Sequence, residues 1–193
     1  PPIEMILNLM EYLISVIFLL SLNQTSAFHV DEEFKYVTLG SLIKLTHKST
    51  SYKLHSHNVM YSTGSQQQRV RDCNKLKSQK IKCGQNIRLK HSETKKYLHS
   101  HYHTSVLSNN QEISAYDGSD SGDNWTLECS KTFWERENDV RLKHADTKMY
   151  LTTSSSYSFT QGPIPGQLEV HGYAIKNNNN IWIAQEGYYF QQE

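Results

Sequence analysis

The sequence predicts an all-β fold, a β-trefoil of three repeated lobes with a shortened first lobe, and three observations predict it. First, a phrase recurs. Leu45-Thr-His47-Lys-Ser-Thr50-Ser-Tyr-Lys-Leu54-His55-Ser56-His57 returns as Leu89-Lys-His91-Ser-Glu-Thr94-Lys-Lys-Tyr-Leu98-His99-Ser100-His101. It returns again as Leu142-Lys-His144-Ala-Asp-Thr147-Lys-Met-Tyr-Leu151, now ending in Thr152-Thr153-Ser154. Second, the pieces after each phrase recur. Gln67-Gln68-Arg69-Val70, Gln111-Glu112-Ile113 and Gln167-Leu168-Glu169-Val170 follow the three phrases, and Asn124-Trp125-Thr126-Leu127 matches Asn180-Ile181-Trp182-Ile183. Third, Tyr is abundant, and short alternating runs are punctuated by Gly, Asn and Ser, a pattern that suits strands and turns. Self-similarity at this period marks one supersecondary unit used repeatedly. Propellers need about four to eight blades, so three lobes of about four short strands each favour the trefoil.

Before the lobes, Tyr12 to Leu22 is an apolar run of signal-peptide length, and Thr25-Ser26-Ala27 supplies small residues for cleavage after Ala27. Residues 1–27 are therefore expected to be a leader and residues 28–193 the mature domain. The run falls short of the roughly 20 apolar residues that span a bilayer, and no later stretch approaches that length. Removing the leader takes away Glu4 and Glu11 and raises the formal charge from +1 to +3. This near-neutral balance argues against nucleic acid or an anionic membrane as the main partner.

In the first lobe, Leu45 precedes Leu89 by 44 positions, whereas Leu89 precedes Leu142 by 53, so the first copy is 9 residues short. The deficit lies between Val70 and Ile81, and no Trp-bearing strand closes this copy. It reads as a missing stretch or a degenerate repeat. The run Lys75 to Lys82 alternates Lys with Leu and Ile, which fits a half-exposed strand better than an anion patch.

Three kinds of side chain stand out across the lobes. His47, His91 and His144 hold the same place in each copy, which suggests a packing or hydrogen-bonding task inside each lobe. His55 with His57, and His99 with His101, are two apart, so a strand would turn each pair to one side. Zinc would want three or four converging ligands. The pairs recur as part of the repeat and the third lobe lacks one, so no metal is expected, and the four histidines are candidates for a polar binding surface. Trp125 and Trp182 sit at matching points of alternating strands and are expected in the core. Trp134 is left as a binding candidate.

Cys73, Cys83 and Cys129 are odd in number, so at most one intrachain bridge forms, with the pairing open. Asn124-Trp125-Thr126 is a formal N-glycosylation acceptor. Asp117-Gly-Ser-Asp120-Ser-Gly-Asp123 has the wrong spacing for a calcium-binding EF-hand loop and reads as a solvated loop between strands. No Gly-x-Ser-x-Gly elbow, His-Glu-x-x-His helix or phosphate-cradling Gly loop occurs, so neither enzymatic activity nor a cofactor is expected.

The run from Gly40 to His47, the Leu-His-Ser-His signature and the Gln-Glu-Ile/Val segment resemble MIR repeats. These are shared by protein O-mannosyltransferases and by inositol trisphosphate and ryanodine receptors. More closely, Ile81-Lys-Cys83-Gly84-Gln85, Leu107-Ser-Asn-Asn-Gln111-Glu-Ile-Ser-Ala115, Val140-Arg-Leu-Lys-His144 and Glu169-Val170-His171-Gly172 resemble the stromal cell-derived factor 2 family. The resemblance implies a trefoil of three MIR repeats in the endoplasmic reticulum lumen. There it would act without enzymatic chemistry, beside a J-domain co-chaperone, on unfolded or O-mannosylated clients in folding and quality control. The alternative is a lectin for mannose-type glycans. Members often end in a His/Lys-Asp-Glu-Leu retention signal, whereas this chain stops at Gln191-Gln192-Glu193, which leaves secretion open.

Overall fold

A computed structural model describes residues 30–56 and 79–190 of the chain. The chain divides into two units, Pro1–Val30 and Asp31–Glu193, and the strands of the described residues belong to the second. The leader expected at 1–27, His57, Cys73 and the end of the first lobe fall outside the described residues. Among the described residues there is no α-helix. Nine strands form one sheet: β1 (Leu42–His47), β2 (Asn86–Ile87), β3 (Tyr97–Thr104), β4 (Gln111–Tyr116), β5 (Trp125–Cys129), β6 (Asp139–His144), β7 (Tyr150–Ser158), β8 (Leu168–Tyr173) and β9 (Trp182–Tyr188).

The pairing follows the repeat. The second and third recurring phrases run through a turn into the first strand of a hairpin, β3–β4 and β7–β8, and β4 joins the two hairpins by pairing with β8. The closing strand of a lobe lies between the opening strand of its own lobe and that of the next. Thus β5 pairs with β2 and β6, while β9 pairs with β6 and β1. The third lobe thereby returns to the first. Residues 57–78, the end of the first lobe, lie outside the described residues.

A second feature expresses the threefold relation at the level of single atoms. Val37, Ile81 and Trp134 are spaced by the same 44 and 53 positions as the recurring phrase, and all three are buried. The Val37 N–H donates to the Trp134 carbonyl (2.8 Å), the Trp134 N–H to the Ile81 carbonyl (2.8 Å), and the Ile81 N–H to the Val37 carbonyl (3.2 Å). The three entry segments close a ring of backbone hydrogen bonds, so none of these buried groups is left without a partner. Lys80 and Lys82, which flank Ile81, make isolated bridges to Thr38 and Phe133.

Alternation along the strands fills the core. Trp125 and Leu127 of β5, Val140 and Leu142 of β6, and Trp182 and Ala184 of β9 all point inward and are buried. The two indoles make the same bond one lobe apart, Trp125 Nε1 donating to the Leu98 carbonyl and Trp182 Nε1 to the Leu151 carbonyl, each at 2.9 Å. Both tryptophans are core residues, as their matching positions predict. Each buried ring has its one donor satisfied, which is what a tryptophan needs in a core.

The recurring histidines explain the turns. Nδ1 of His47, His91 and His144 meets the Thr hydroxyl three residues on, at 2.8, 2.9 and 2.9 Å. Nε2 of His47 and His144 donates to the carbonyls of Asn179 (3.0 Å) and Gly122 (2.9 Å) in the neighbouring lobe. A carbonyl can only accept, so both rings carry their proton on Nε2, and Nδ1 accepts from the threonine. One imidazole therefore shapes its own turn and ties it to the next lobe. Ser51, Lys95 and Lys148 take the left-handed backbone conformation at the same point of each turn.

Cys83 and Cys129 form a disulfide with their Cα atoms 5.4 Å apart. It joins the segment entering β2 to the last residue of β5, beside the bond from the Gly84 N–H to the Leu127 carbonyl.

Candidate functional site

The sequence-selected histidines of the second lobe meet the loop between β4 and β5. In β3, His99 and His101 face the same side, as their spacing requires, with ring centroids 4.5 Å apart and nearly perpendicular. His99 is buried and its Nδ1–H donates to Asp123 Oδ1 at 2.9 Å. His101 is 43% exposed and its Nε2 lies 3.5 Å from Asp120 Oδ2. Asp120 Oδ1 in turn lies 3.6 Å from His99 Nδ1.

The loop is not the solvated connection its acidic sequence suggests. Ser121–Asp123 is a single 3-10 turn with a reciprocal cap. Asp120 Oδ1 accepts from the Gly122 N–H (2.8 Å), and Asp123 Oδ2 accepts from the Asp120 N–H (3.2 Å). Arg88 braces it from outside, donating to Asn124 Oδ1 (2.9 Å), Ser119 Oγ (2.7 Å) and the Asp120 carbonyl (3.0 Å). Gly122 and Asp123 are buried under the hairpin. A Cβ at position 122 would lie 2.6 Å from His99 Cε1, 2.7 Å from the Ser100 carbonyl oxygen and 2.9 Å from His101 Cε1. Glycine there lets the loop sit against both imidazoles. Asn124, the formal glycosylation acceptor, is half-buried, with its carboxamide oxygen engaged by Arg88.

The other selected residues lie elsewhere. His55 is exposed and packs edge-to-face on His91 across the first and second lobes, at 5.0 Å between centroids. Trp134 is fully buried at the ring of entry segments, so its indole is a core group and offers no face to a ligand in this structure. It lies outside the alternating strands that mark Trp125 and Trp182 as core, so no local pattern in the sequence signals its burial.

One surface feature was not anticipated. An open groove of about 360 Å³ runs between the second and third lobes, lined among others by Tyr102, His103, Asn109, Gln111, Met149 and Ile175. Tyr102 is 83% exposed, and Ile175 is also exposed. The turn at 105–108, between lining residues Thr104 and Asn109, is held by a buried carboxylate from the third lobe. Glu169 Oε1 accepts from Ser105 Oγ (2.9 Å) and the Ser108 N–H (3.1 Å), and Oε2 from the Leu107 N–H (2.6 Å). Burial pushes the Glu169 carboxyl up, but the donors of Ser108, Leu107 and Ser105 outweigh it and hold the group below its usual range. Its neighbour His171 is also buried, with Nδ1 3.5 Å from Glu169 Oε1, and burial pushes that imidazole down.

The MIR domain family model matches residues 65–179. Human stromal cell-derived factor 2 is 41% identical over 177 residues, covering 80% of this chain and 82% of its own length. The crystal structure of the SDF2-like protein from Arabidopsis thaliana superimposes with a TM-score of 0.72 at 38% identity, covering 81% of this chain and 98% of the other. The S. cerevisiae protein O-mannosyltransferase Pmt1-Pmt2 complex, bound to its sugar donor, matches with a TM-score of 0.67 at 25% identity. That match covers 86% of this chain and 27% of the other.

Proposed function

Since the chain belongs to the stromal cell-derived factor 2 family of MIR-domain proteins, we propose that it is a non-enzymatic binding protein of the endoplasmic reticulum lumen. It assists folding and quality control beside a J-domain co-chaperone, with unfolded or O-mannosylated polypeptides as clients. The observation that carries this reading is the length of the family likeness, which runs through most of the chain rather than through one lobe. The Cys83–Cys129 bridge supports an oxidising compartment, where such bonds persist. The likeness to the mannosyltransferase complex supports clients that carry O-linked mannose. On the surface of the first and second lobes, His55 and His101 are the candidate polar contacts, and His99 acts from behind as a buried support for the hairpin.

A second reading, a lectin for mannose-type glycans, is favoured by the groove beside Tyr102. An exposed aromatic face next to the amides of Asn109 and Gln111 suits a sugar ring, which presents an apolar face and a rim of hydroxyls. Affinity capture from an endoplasmic reticulum extract, with and without excess mannose oligosaccharide, separates the two. Sugar-insensitive recovery of a J-domain protein with unfolded clients supports the first reading. Recovery of glycoproteins that free sugar abolishes replaces it with the second.

A further inference from the structure

We propose that His99, His101 and Asp120 form a binding site for a divalent transition ion of the zinc class, joining β3 to the loop that leads into β5. One potential ligand atom from each of the three residues lies within 4.8 Å of the others. The contacts of Asp120 Oδ1 to His99 Nδ1 (3.6 Å) and of its other oxygen, Oδ2, to His101 Nε2 (3.5 Å) are too long for the usual N–H···O bond of about 2.7–3.2 Å, so the carboxylate reaches one imidazole with each oxygen. They match a shared ion better. With zinc–nitrogen and zinc–oxygen bonds of roughly 2.0–2.2 Å, tetrahedral geometry places its donors about 3.3–3.5 Å apart.

The surroundings suit a cation. The Asp120 and Asp123 carboxylates converge on the His99 imidazole, and Arg88 Nη1 is 3.9 Å from Asp123 Oδ2. A divalent ion would offset this excess of negative charge. His101 and Asp120 are 43% and 42% exposed, which gives an ion access and leaves a fourth position for water. The supports around the ligands are already built. Gly122 lets the loop close on both rings, and the Arg88 bond to the Asp120 carbonyl holds that residue in place. Such outer partners are what orient metal ligands. The ion would take the place of the Nδ1 proton that His99 shares with Asp123, releasing that proton to solvent. The third lobe has Thr152 and Asn177 where the second has His99 and Asp120, so the site belongs to one lobe only.

The test is titration of the full chain, purified without a histidine tag, with Co²⁺ as a coloured stand-in for zinc and then with Zn²⁺ in competition. One equivalent of Co²⁺ giving visible bands that Zn²⁺ removes is expected. His101→Ala and Asp120→Asn should each weaken binding by about 10-fold or more, by the measure of outer partners whose loss already costs 10–100-fold. His103→Ala, an exposed neighbour on the same strand, should leave it unchanged. Thermal unfolding without metal checks that each variant is folded. Absence of binding by the folded wild-type chain, or binding that both ligand variants leave intact, overturns the proposal.

Discussion

Glu169 shows how a single side chain can hold two lobes together. Its carboxylate lies on β8 of the third lobe, yet all three of its hydrogen-bond donors come from residues 105–108 of the second. Replacing it with Ala would leave two backbone N–H groups and a hydroxyl without their acceptor in a buried position. Glu169→Ala is therefore expected to lower unfolding free energy by about 3 kcal/mol in urea denaturation, as orphaned buried donors do. In the sequence Glu169 stands in a closing segment and a family motif, and neither reveals its task, because nothing local identifies a partner more than 60 positions away. By contrast, the tasks of His47, His91 and His144 were legible. Residues that return at the same place in every copy do the same job, and here that job is a bond to the threonine three residues on.

At the scale of the element, the hairpins and the inward strands follow from alternation and turn chemistry, while the β4–β5 loop does not. Its run of Asp, Gly and Ser has the composition of a solvated connection. Its structure depends instead on a cap closed by Asp123 and on Arg88 reaching it from the end of β2. Gly122→Ala is expected to push the loop off the hairpin, because the added Cβ would strike the Ser100 carbonyl as well as two rings. Loss of the His99–Asp123 bond, read from imidazole NMR shifts, is the measurement. The disulfide was equally closed to sequence reasoning, since three cysteines allow three pairings. Cys83 and Cys129 are 46 positions apart, and closing a loop of that size stabilises by about 4 kcal/mol in the chain-entropy account. Cys83→Ser should lower the denaturation midpoint accordingly without changing the far-ultraviolet spectrum of the folded state.

Taken as a whole molecule, the fold keeps several imidazoles neutral. Burial pushes His47 and His144 down, with the Asn179 and Gly122 carbonyls offsetting only part of the effect. His171 is pushed down in the same way, against the pull of Glu169. In the unfolded chain these groups titrate near 6.5. Below that pH the unfolded state binds protons that the folded state refuses, so stability is complete above about pH 6.5 and falls as the medium is acidified. Each histidine contributes up to ~1.4 kcal/mol per pH unit once its unfolded form is protonated. Thermal unfolding followed from pH 7.5 down to 5.5 should show a steady loss, whereas a flat profile would contradict the neutral tautomers assigned here. The threefold plan was the most legible feature of all, because a repeat announces itself in one dimension before it is folded in three.

The pairing of β1 with β9 also sets an order of events during synthesis. Leu42 meets Tyr188, and His47 meets Trp182, so this strand pairing must wait until nearly the whole domain has left the ribosome. Until then the edge of β1 that β9 will cover stays open to other strands, including those of neighbouring nascent chains. Contacts so distant along the chain form slowly. A protein proposed to attend the folding of others thus has an early strand of its own whose partner is the last to arrive.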